Sequence, residues 1–338
     1  MTADPTTPTT PATAADAEGI LPPVPFDPEL AAALELVAEL IPQVGTPLAE
    51  FREAVNAHGL SVEALTRDGA FEVEDRTVPG PAGAPDVSLL IGRPAGLEGS
   101  RPAVYYTHGG GMMLGNNRLG MDMMLEWAAE LGLVVVSVEY RLAPEHPHPA
   151  PVEDCYAGLV WTAAHAAELG IDPERIVIAG VSAGGGLTAA LALLARDRGG
   201  PALLGQMLLG PMLDDRNDTV SAHQMAGLGV WDRAANEAGW TALLGRARGG
   251  PDVSPYAAPA RATDLSDLPA AFIDVGSAET FRDEDISYAD RLWQAGGSAE
   301  LHVWPGGFHG FDGLAPQAQL SQDAGAPRLR WLRRILNA

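Results

Sequence analysis

The chain has 338 residues, of which 21 are basic and 44 acidic, so its formal net charge is −23. Every basic residue is Arg, which excludes a P-loop nucleotide site, a protein-kinase site, Schiff-base catalysis and a Ser-x-x-Lys nucleophile, because each requires Lys. The acidic balance argues against nucleic acid or an anionic membrane as a partner, while the apolar fraction of 46% is that of a globular protein with a sizeable core.

The N-terminal region divides into a tail and a helical segment. Residues 1–20 are rich in Pro, Thr and Ala and lack the basic start and apolar stretch of a secretory signal, so we expect a disordered tail. Apolar residues recur at helical spacing over residues 28–57, which predicts N-terminal helices within 21–60. No apolar run is long enough to cross a membrane, and a cytoplasmic location is the default expectation. Cys155 is the only cysteine, which rules out an intrachain disulfide, and we interpret it as a small core residue.

From residue 71 onward, short β-rich runs alternate with longer helical segments. The runs 134–136 and 176–178 have no polar alternation, which is typical of parallel strands buried on both faces. We therefore predict an α/β fold over residues 61–338, with a mostly parallel central sheet of about eight strands flanked by helices. The predicted strands are Phe71–Val78, Val87–Ile91, Ala103–Thr107, Leu133–Tyr140, Arg175–Ala179, Gly205–Leu209, Ala270–Val275 and Glu300–Trp304. The predicted helices lie near 119–131, 152–169, 183–197, 283–295 and 327–336.

One connection is too long for a simple crossover. About 60 residues separate the strands near 209 and 270, with helical pieces around 219–227 and 232–244. We expect an insertion at about 213–250 that joins the N-terminal helices of 21–60 as a cap. Such a cap would cover the carboxyl edge of the sheet, where open α/β sheets bind ligands.

The sharpest motif is Gly180-Val181-Ser182-Ala183-Gly184. It lies between an apolar strand and a helix of small residues, where a Gly-x-Ser-x-Gly elbow presents a nucleophilic Ser at the tip of a tight turn. The sequence therefore makes Ser182 a candidate nucleophile.

A second motif is His108-Gly109-Gly110-Gly111, directly after a predicted strand. Consecutive glycines expose backbone N–H groups with no Cβ in the way. Together with the N–H of Ala183, these groups would form an oxyanion hole.

An activated Ser needs a base, and this chain order places it beyond the last strand. His309 lies in a Gly-rich loop at that position, whereas His302 falls within the strand and is expected to be structural. His146 and His148 flank a proline without an evident third ligand, so we expect neither a metal nor a cofactor.

With these motifs the chain resembles the bacterial branch of the hormone-sensitive-lipase family (family IV) of α/β-hydrolase carboxylesterases. The resemblance runs from about Phe71 to the C-terminus. It rests on His108–Gly111, Gly180–Gly185, Tyr140–Pro147, Asp252–Tyr256 and Phe308–Phe311.

The resemblance implies a role for each matching position. Ser182 takes the place of the nucleophile, His309 that of the base, and Gly109, Gly110, Gly111 and Ala183 that of the oxyanion loop and its donors. The family usually has Asp at the head of its acidic string, and here the matching position is Glu279. A Glu can orient and stabilise the imidazole as Asp does, and Asp274 and Asp283 remain rivals for the role.

The expected activity is two-step hydrolysis of short- to medium-chain carboxylic esters through an acyl-enzyme. The resemblance also implies room for bulky alcohols, because enzymes of this kind with three glycines in the oxyanion loop accept them. Met112, Met113, Leu114 and Trp231 are candidates for the substrate pocket, although the methionines suit core packing equally well.

Two other functional classes stay open: an amidase, deacetylase or lactonase with the same machinery, and a catalytically silent binding protein of the same fold. The expected partner is a small-molecule ester, without nucleic acid or membrane insertion. A homodimer is compatible with the sequence, which does not determine the oligomeric state.

Overall fold

The computed structural model describes residues 21–37, 46–57 and 59–337 and contains an eight-stranded sheet. The strands are β1 Phe71–Val78, β2 Val87–Pro94, β3 Arg101–Thr107, β4 Val134–Glu139, β5 Ile171–Val181, β6 Gly205–Leu209, β7 Ala270–Gly276 and β8 Ala299–Trp304. Their order is β1-β2-β4-β3-β5-β6-β7-β8, with β2 antiparallel to both of its neighbours and every other pair parallel. The mostly parallel α/β sheet is confirmed. The expected tail of residues 1–20 lies outside the described residues.

Helices cover the sheet and connect its strands. They are α1 Pro28–Val37, α2 Leu48–Ala57, α3 Val62–Leu65, α4 Met121–Leu131, α5 Ala150–Ala164, α6 Ala183–Arg198, α7 Val220–Gln224, α8 Arg233–Leu244, α9 Arg282–Gln294, α10 Phe311–Leu314 and α11 Gln319–Leu336. None of those in the described ranges is long and apolar enough to span a bilayer.

Three element boundaries differ from the prediction by four residues or more. Helix α5 ends at Ala164 rather than near 169, and turns follow it. Strand β5 begins at Ile171 rather than Arg175, because Ile171 pairs with Arg101 although polar residues follow it. Helix α11 begins at Gln319 and contains Pro327, the residue at which the sequence predicted its start. Proline favours the first turn of a helix, and here it stands inside one.

Burial on both faces explains the valine-rich strand β4. Val134, Val136 and Val138 pack into the core on one face of the sheet, whereas Val135 packs into the core on the other face. A strand without polar alternation is stable only when neither face meets water.

The parallel strands bring five loops to one edge of the sheet. β3, β5, β6, β7 and β8 end at Thr107, Val181, Leu209, Gly276 and Trp304, and they are neighbours in that order. The loops that follow them contain the glycine-rich motif, Ser182, residues 210–214, Glu279 and His309. The topology therefore assembles the candidate residues although they are distant along the chain.

Candidate active site

Ser182 lies between β5 and α6 in a strained backbone conformation, with φ 59° and ψ −122°. A Cβ at Gly180 would lie 2.3 Å from the carbonyl oxygen of Gly184, and a Cβ at Gly184 would lie 2.0 Å from that of Thr107. Only glycine fits at these two positions, which explains the spacing of the motif around Ser182.

The loop after β6 holds the backbone of Ser182 on both sides. The N–H of Ser182 donates to the carbonyl of Leu209 at 2.8 Å, and its carbonyl accepts from the N–H of Met212 at 2.9 Å. These bonds help to maintain a conformation that an isolated serine would avoid.

A hydrogen-bonded line joins Ser182, His309 and Glu279. The Oγ of Ser182 lies 2.9 Å from Nε2 of His309, and Nδ1 of His309 lies 2.6 Å from Oε2 of Glu279. The carboxylate of Glu279 is 4% exposed, and its Oε1 accepts from the N–H of Gly276 at 3.0 Å. The ring of Phe281 meets the imidazole edge to face at 5.0 Å. The imidazole is thus oriented from three directions.

The two rival acids have other partners. The carboxylate of Asp274 pairs with Arg328 at 2.7 Å, and that of Asp283 accepts from the backbone N–H of Ser221 at 2.7 Å. Glu279 is therefore the carboxylate that contacts His309. His302 lies in β8, where it stacks on Trp304 and binds Glu300, in agreement with its expected structural role.

The glycine-rich loop approaches the nucleophile closely. A Cβ at Gly109 would lie 3.5 Å from Cβ of Ser182, and Gly110 and Gly111 have φ of 120° and 60°, which glycine adopts at little cost. Ala183 is the first residue of α6, where a backbone N–H has no acceptor within the helix. The loop and the helix start together offer backbone donors beside Ser182.

His108 packs beneath this loop as a buried, uncharged ring. It stacks on Tyr140 with ring centres 4.2 Å apart, and its Nδ1 lies 2.8 Å from the carbonyl of Gly109. Burial lowers the pKa of His108 from 6.5 to about 4, with the hydrogen bond to Gly109 acting in the opposite direction. His108 therefore supports the loop without carrying charge at neutral pH.

The four candidate pocket residues fall into two groups. Met112 and Leu114 are buried, with 1% and 3% of their surface exposed, and Met112 belongs to the main core. Met113 and Trp231 are half-buried. The indole of Trp231 lies against the glycine-rich loop, since a Cβ at Gly111 would be 2.1 Å from its Cη2. Trp231 is thus the candidate placed directly beside the loop.

Three side chains that support the site have no role predicted from the sequence, although Glu284 ends the acidic string that begins at Glu279. Arg52 of α2 donates to the carbonyls of Met113 and Ala143 at 2.8 and 2.9 Å. Arg328 of α11 is buried and binds Asp274 within β7 and Asp312 of α10. Glu284 of α9 is buried as well and binds the backbone after β6. Their partners lie far away in the chain, so local sequence patterns do not reveal them.

Comparison with known proteins shows the family to which the chain belongs. A protein-family model described as an alpha/beta hydrolase fold matches residues 104–313. The chain is 38% identical to carboxylesterase NlhH of Mycobacterium tuberculosis over 274 residues, which cover 79% of this chain and 84% of that protein. It is 34% identical to hormone-sensitive lipase of Bos taurus over 175 residues, covering 52% of this chain and 22% of the lipase. A solved structure titled Bacterial Heroin Esterase superposes with a TM-score of 0.86 at 41% identity, covering 93% of this chain and 98% of that one.

Proposed function

Because this chain is a carboxylesterase of the α/β-hydrolase family that includes hormone-sensitive lipase, we propose that Ser182, His309 and Glu279 form its catalytic triad. The observation that carries the proposal is the line of hydrogen bonds from Oγ of Ser182 through the imidazole to Oε2 of Glu279. This is the arrangement in which an imidazole removes a proton from a serine while a carboxylate fixes its tautomer.

The reaction proceeds in two acyl transfers. Oγ of Ser182 attacks the ester carbonyl carbon while Nε2 of His309 takes its proton, giving a tetrahedral intermediate. The carbon–oxygen bond to the alcohol then breaks, and His309 returns the proton to the departing alcohol. Water attacks the acyl-enzyme by the same route, and the carboxylic acid is released with Ser182 regenerated.

The backbone stabilises the charge that develops on the substrate. We assign the oxyanion hole to the N–H groups of Gly110, Gly111 and Ala183, with Gly109 shaping the loop. One such donor typically contributes a factor of about 10²–10³ to kcat. Glu279 stabilises the imidazolium that forms at the same moment.

The substrates we propose are esters of short- to medium-chain acids, including esters of bulky alcohols. Trp231 supports the restriction to short and medium acyl chains, because its indole covers one side of the glycine loop at Gly111 and limits the space there. The inclusion of bulky alcohols rests on the three consecutive glycines of the loop. We further propose that the described residues of 21–60, together with about 213–250, form a cap on this edge. Support comes from Phe26, whose ring packs on Phe308 at 6.0 Å, and from the N–H of Asp27, which donates to the carbonyl of Gly306.

The test is hydrolysis of p-nitrophenyl esters with acyl chains from two to twelve carbons, by the parent enzyme and by Ser182→Ala. We expect the parent rate to peak at short chains and kcat to fall by a factor of about 10⁴ or more in the variant, because no other group replaces the nucleophile. Circular dichroism and thermal unfolding would check that the variant keeps the parent fold. Turnover near the parent value in folded Ser182→Ala would overturn the assignment.

The same preparation separates the neighbouring reaction classes. A matched p-nitroanilide should react far more slowly than the ester, whereas preference for the anilide would favour an amidase. Comparison of tert-butyl acetate with n-butyl acetate tests the bulky alcohol: turnover of the tertiary ester supports the proposal, and turnover confined to the primary ester contradicts it.

A further inference from the structure

The segment 209–214, which connects β6 to the cap insertion, is the main backbone support of Ser182. Leu209 and Met212 hold the two sides of the Ser182 peptide at 2.8 and 2.9 Å. The N–H of Gly210 in turn donates to the carbonyl of Asp274 at the end of β7 at 2.7 Å. Any shift of this segment would therefore move the backbone that carries the nucleophile.

The far end of the segment is bound by a single carboxyl oxygen. Oε1 of Glu284 accepts from the N–H of Leu213 at 2.8 Å and from that of Asp214 at 3.2 Å. Glu284 is 3% exposed, and Leu213 and Asp214 are buried as well. Buried backbone donors need an acceptor, and here a side chain 70 residues away along the sequence supplies it.

The position of Glu284 links both halves of the catalytic machinery. It lies in the first turn of α9, five residues after Glu279, which contacts His309. Glu279, at the start of this short stretch, binds the imidazole of His309. Glu284, at its end, binds the segment 209–214 that supports Ser182.

We propose that Glu284 is a positioning residue for Ser182: it fixes segment 209–214 by its hydrogen bonds to Leu213 and Asp214, and so keeps Oγ of Ser182 in register with His309. This inference rests on the proposed function. Glu284 does not contact the reacting atoms and acts through the backbone of Met212 and Leu209.

The neighbouring residue provides a matched control. Asp283 lies on the same helical turn and also accepts from a distant backbone N–H, that of Ser221 at the start of α7. Its bond anchors the cap insertion farther along the chain and does not reach segment 209–214. If any hydrogen bond between α9 and the insertion were sufficient, removing either of the two acidic side chains would lower kcat by the same factor.

The charge of Glu284 is dispensable in this role. Burial raises the pKa of Glu284 well above its ordinary value, and the nearby carboxylates of Asp214 and Glu279 act in the same direction against the two backbone N–H groups. An uncharged amide of the same length keeps the accepting oxygen in place.

The experiment compares Glu284→Gln, Glu284→Ala, Glu284→Asp and Asp283→Ala with the parent on p-nitrophenyl butyrate. Reactive serines are counted by the burst of p-nitrophenol from a p-nitrophenyl organophosphate, so that kcat refers to folded, competent sites. We expect Glu284→Ala to lose a factor of about 10–10² in kcat with KM little changed, since displacement of a reacting group by about 1 Å has an effect of that size. Glu284→Gln, which keeps the accepting oxygen, and Asp283→Ala, which removes the bond to Ser221 but none to segment 209–214, should stay within about threefold of the parent.

Glu284→Asp covers the case in which the alanine variant does not fold. It keeps the carboxyl group but withdraws it by one methylene, and we expect an intermediate loss of kcat. The proposal is overturned if folded Glu284→Ala or Glu284→Asp keeps the parent kcat per titrated serine, or if Glu284→Gln or Asp283→Ala loses as much as Glu284→Ala. Ser182→Ala, assayed in parallel, separates the two hypotheses. Activity that persists without Ser182 defeats the proposed function, whereas serine-dependent activity unaffected by Glu284 defeats this inference alone.

Discussion

The two sides of Ser182 differ sharply in charge. On the side of the glycine-rich loop, where we propose the oxyanion hole (the oxyanion side), the titratable ring is His108. It is buried, stacked on Tyr140 and uncharged at neutral pH. On the base side, His309 lies near a group of buried carboxyls. The members of this group are Asp274, Glu279, Glu284 and Asp285, with the buried Arg328 bound to Asp274 and to Asp312 of α10.

This difference matches the charges of the proposed reaction. The tetrahedral intermediate places negative charge on the substrate oxygen and positive charge on the imidazole. Backbone N–H groups suit the first site, because they are already oriented and stabilise the developing negative charge without reorganisation. A carboxylate suits the second site. Arg328 neutralises Asp274, and Glu279 is left to face His309.

The largest expected effect comes from removing the charge of Glu279. In Glu279→Gln, the amide nitrogen would donate to Nδ1 of His309 and hold the ring in the wrong tautomer. We expect kcat to fall by about 10³–10⁴ with little change in thermal stability, by analogy with the loss of the acid in other triads. Steady-state kinetics on p-nitrophenyl butyrate measure the fall.

Asp274→Asn is the matched comparison for that variant. It also removes one buried carboxylate near the end of β7, but from the partner of Arg328 rather than of His309. Its kcat should stay within about tenfold of the parent, since the triad keeps its acid. If kcat fell equally in Glu279→Gln and Asp274→Asn, the proposed distinction between the carboxylate that binds Arg328 and the carboxylate that acts on His309 would be wrong.

The next effect concerns stability rather than rate. In Arg328→Met, Asp274 and Asp312 would lose the cation that both contact. Removing one partner of a buried ion pair typically costs about 3–5 kcal/mol, because the remaining charge stays desolvated. Urea unfolding at pH 7 measures this loss. Arg330→Met, on the exposed side of the same helix, should change the free energy of unfolding by less than about 0.5 kcal/mol. A similar value for Arg328→Met would show that the ion cluster contributes nothing to stability.

The sequence predicts the two sides of the site unequally. The strands and the motifs around Ser182, Gly110 and His309 follow from short local patterns, because buried strands need apolar runs and tight turns require glycine at fixed spacing. The partners of Asp274 and Glu279 do not follow, since a carboxylate beside a strand end has the same local signature whether it meets an arginine or a histidine. Arg328 is 54 residues from Asp274, and only the packing of α11 brings them together.

The pocket residues show the same limit. Met112 and Leu114 follow the glycine-rich loop directly, yet their side chains are buried in the core, whereas Trp231 reaches the loop from the insertion. Sequence distance from the glycines is therefore a poor guide to whether a side chain enters the core or lies beside the loop.

The smallest expected effect tests the uncharged side and its dependence on pH. His108 has a pKa of about 4 in the folded protein, against 6.5 when free of the fold. The unfolded chain therefore binds more protons between these values, and the free energy of unfolding must decrease as pH falls through this window. The stabilisation that depends on neutral His108 is fully present above pH 6.5. Between pH 6.5 and pH 4 its loss lowers the free energy of unfolding by about 3 kcal/mol.

Asn at position 108 isolates this contribution, because its amide can replace Nδ1 as donor to the carbonyl of Gly109 but does not titrate. Other buried groups also respond to acid: burial lowers the pKa of His148 and raises those of Asp285 and Glu284. These groups are common to both proteins, so the difference between the two urea-unfolding curves from pH 7 to pH 4 reports on His108 alone. We expect the parent to lose about 3 kcal/mol more than His108→Asn over this range. Parallel curves would mean that the loop accepts an imidazolium, and the oxyanion side would then not be the charge-free region that its packing indicates.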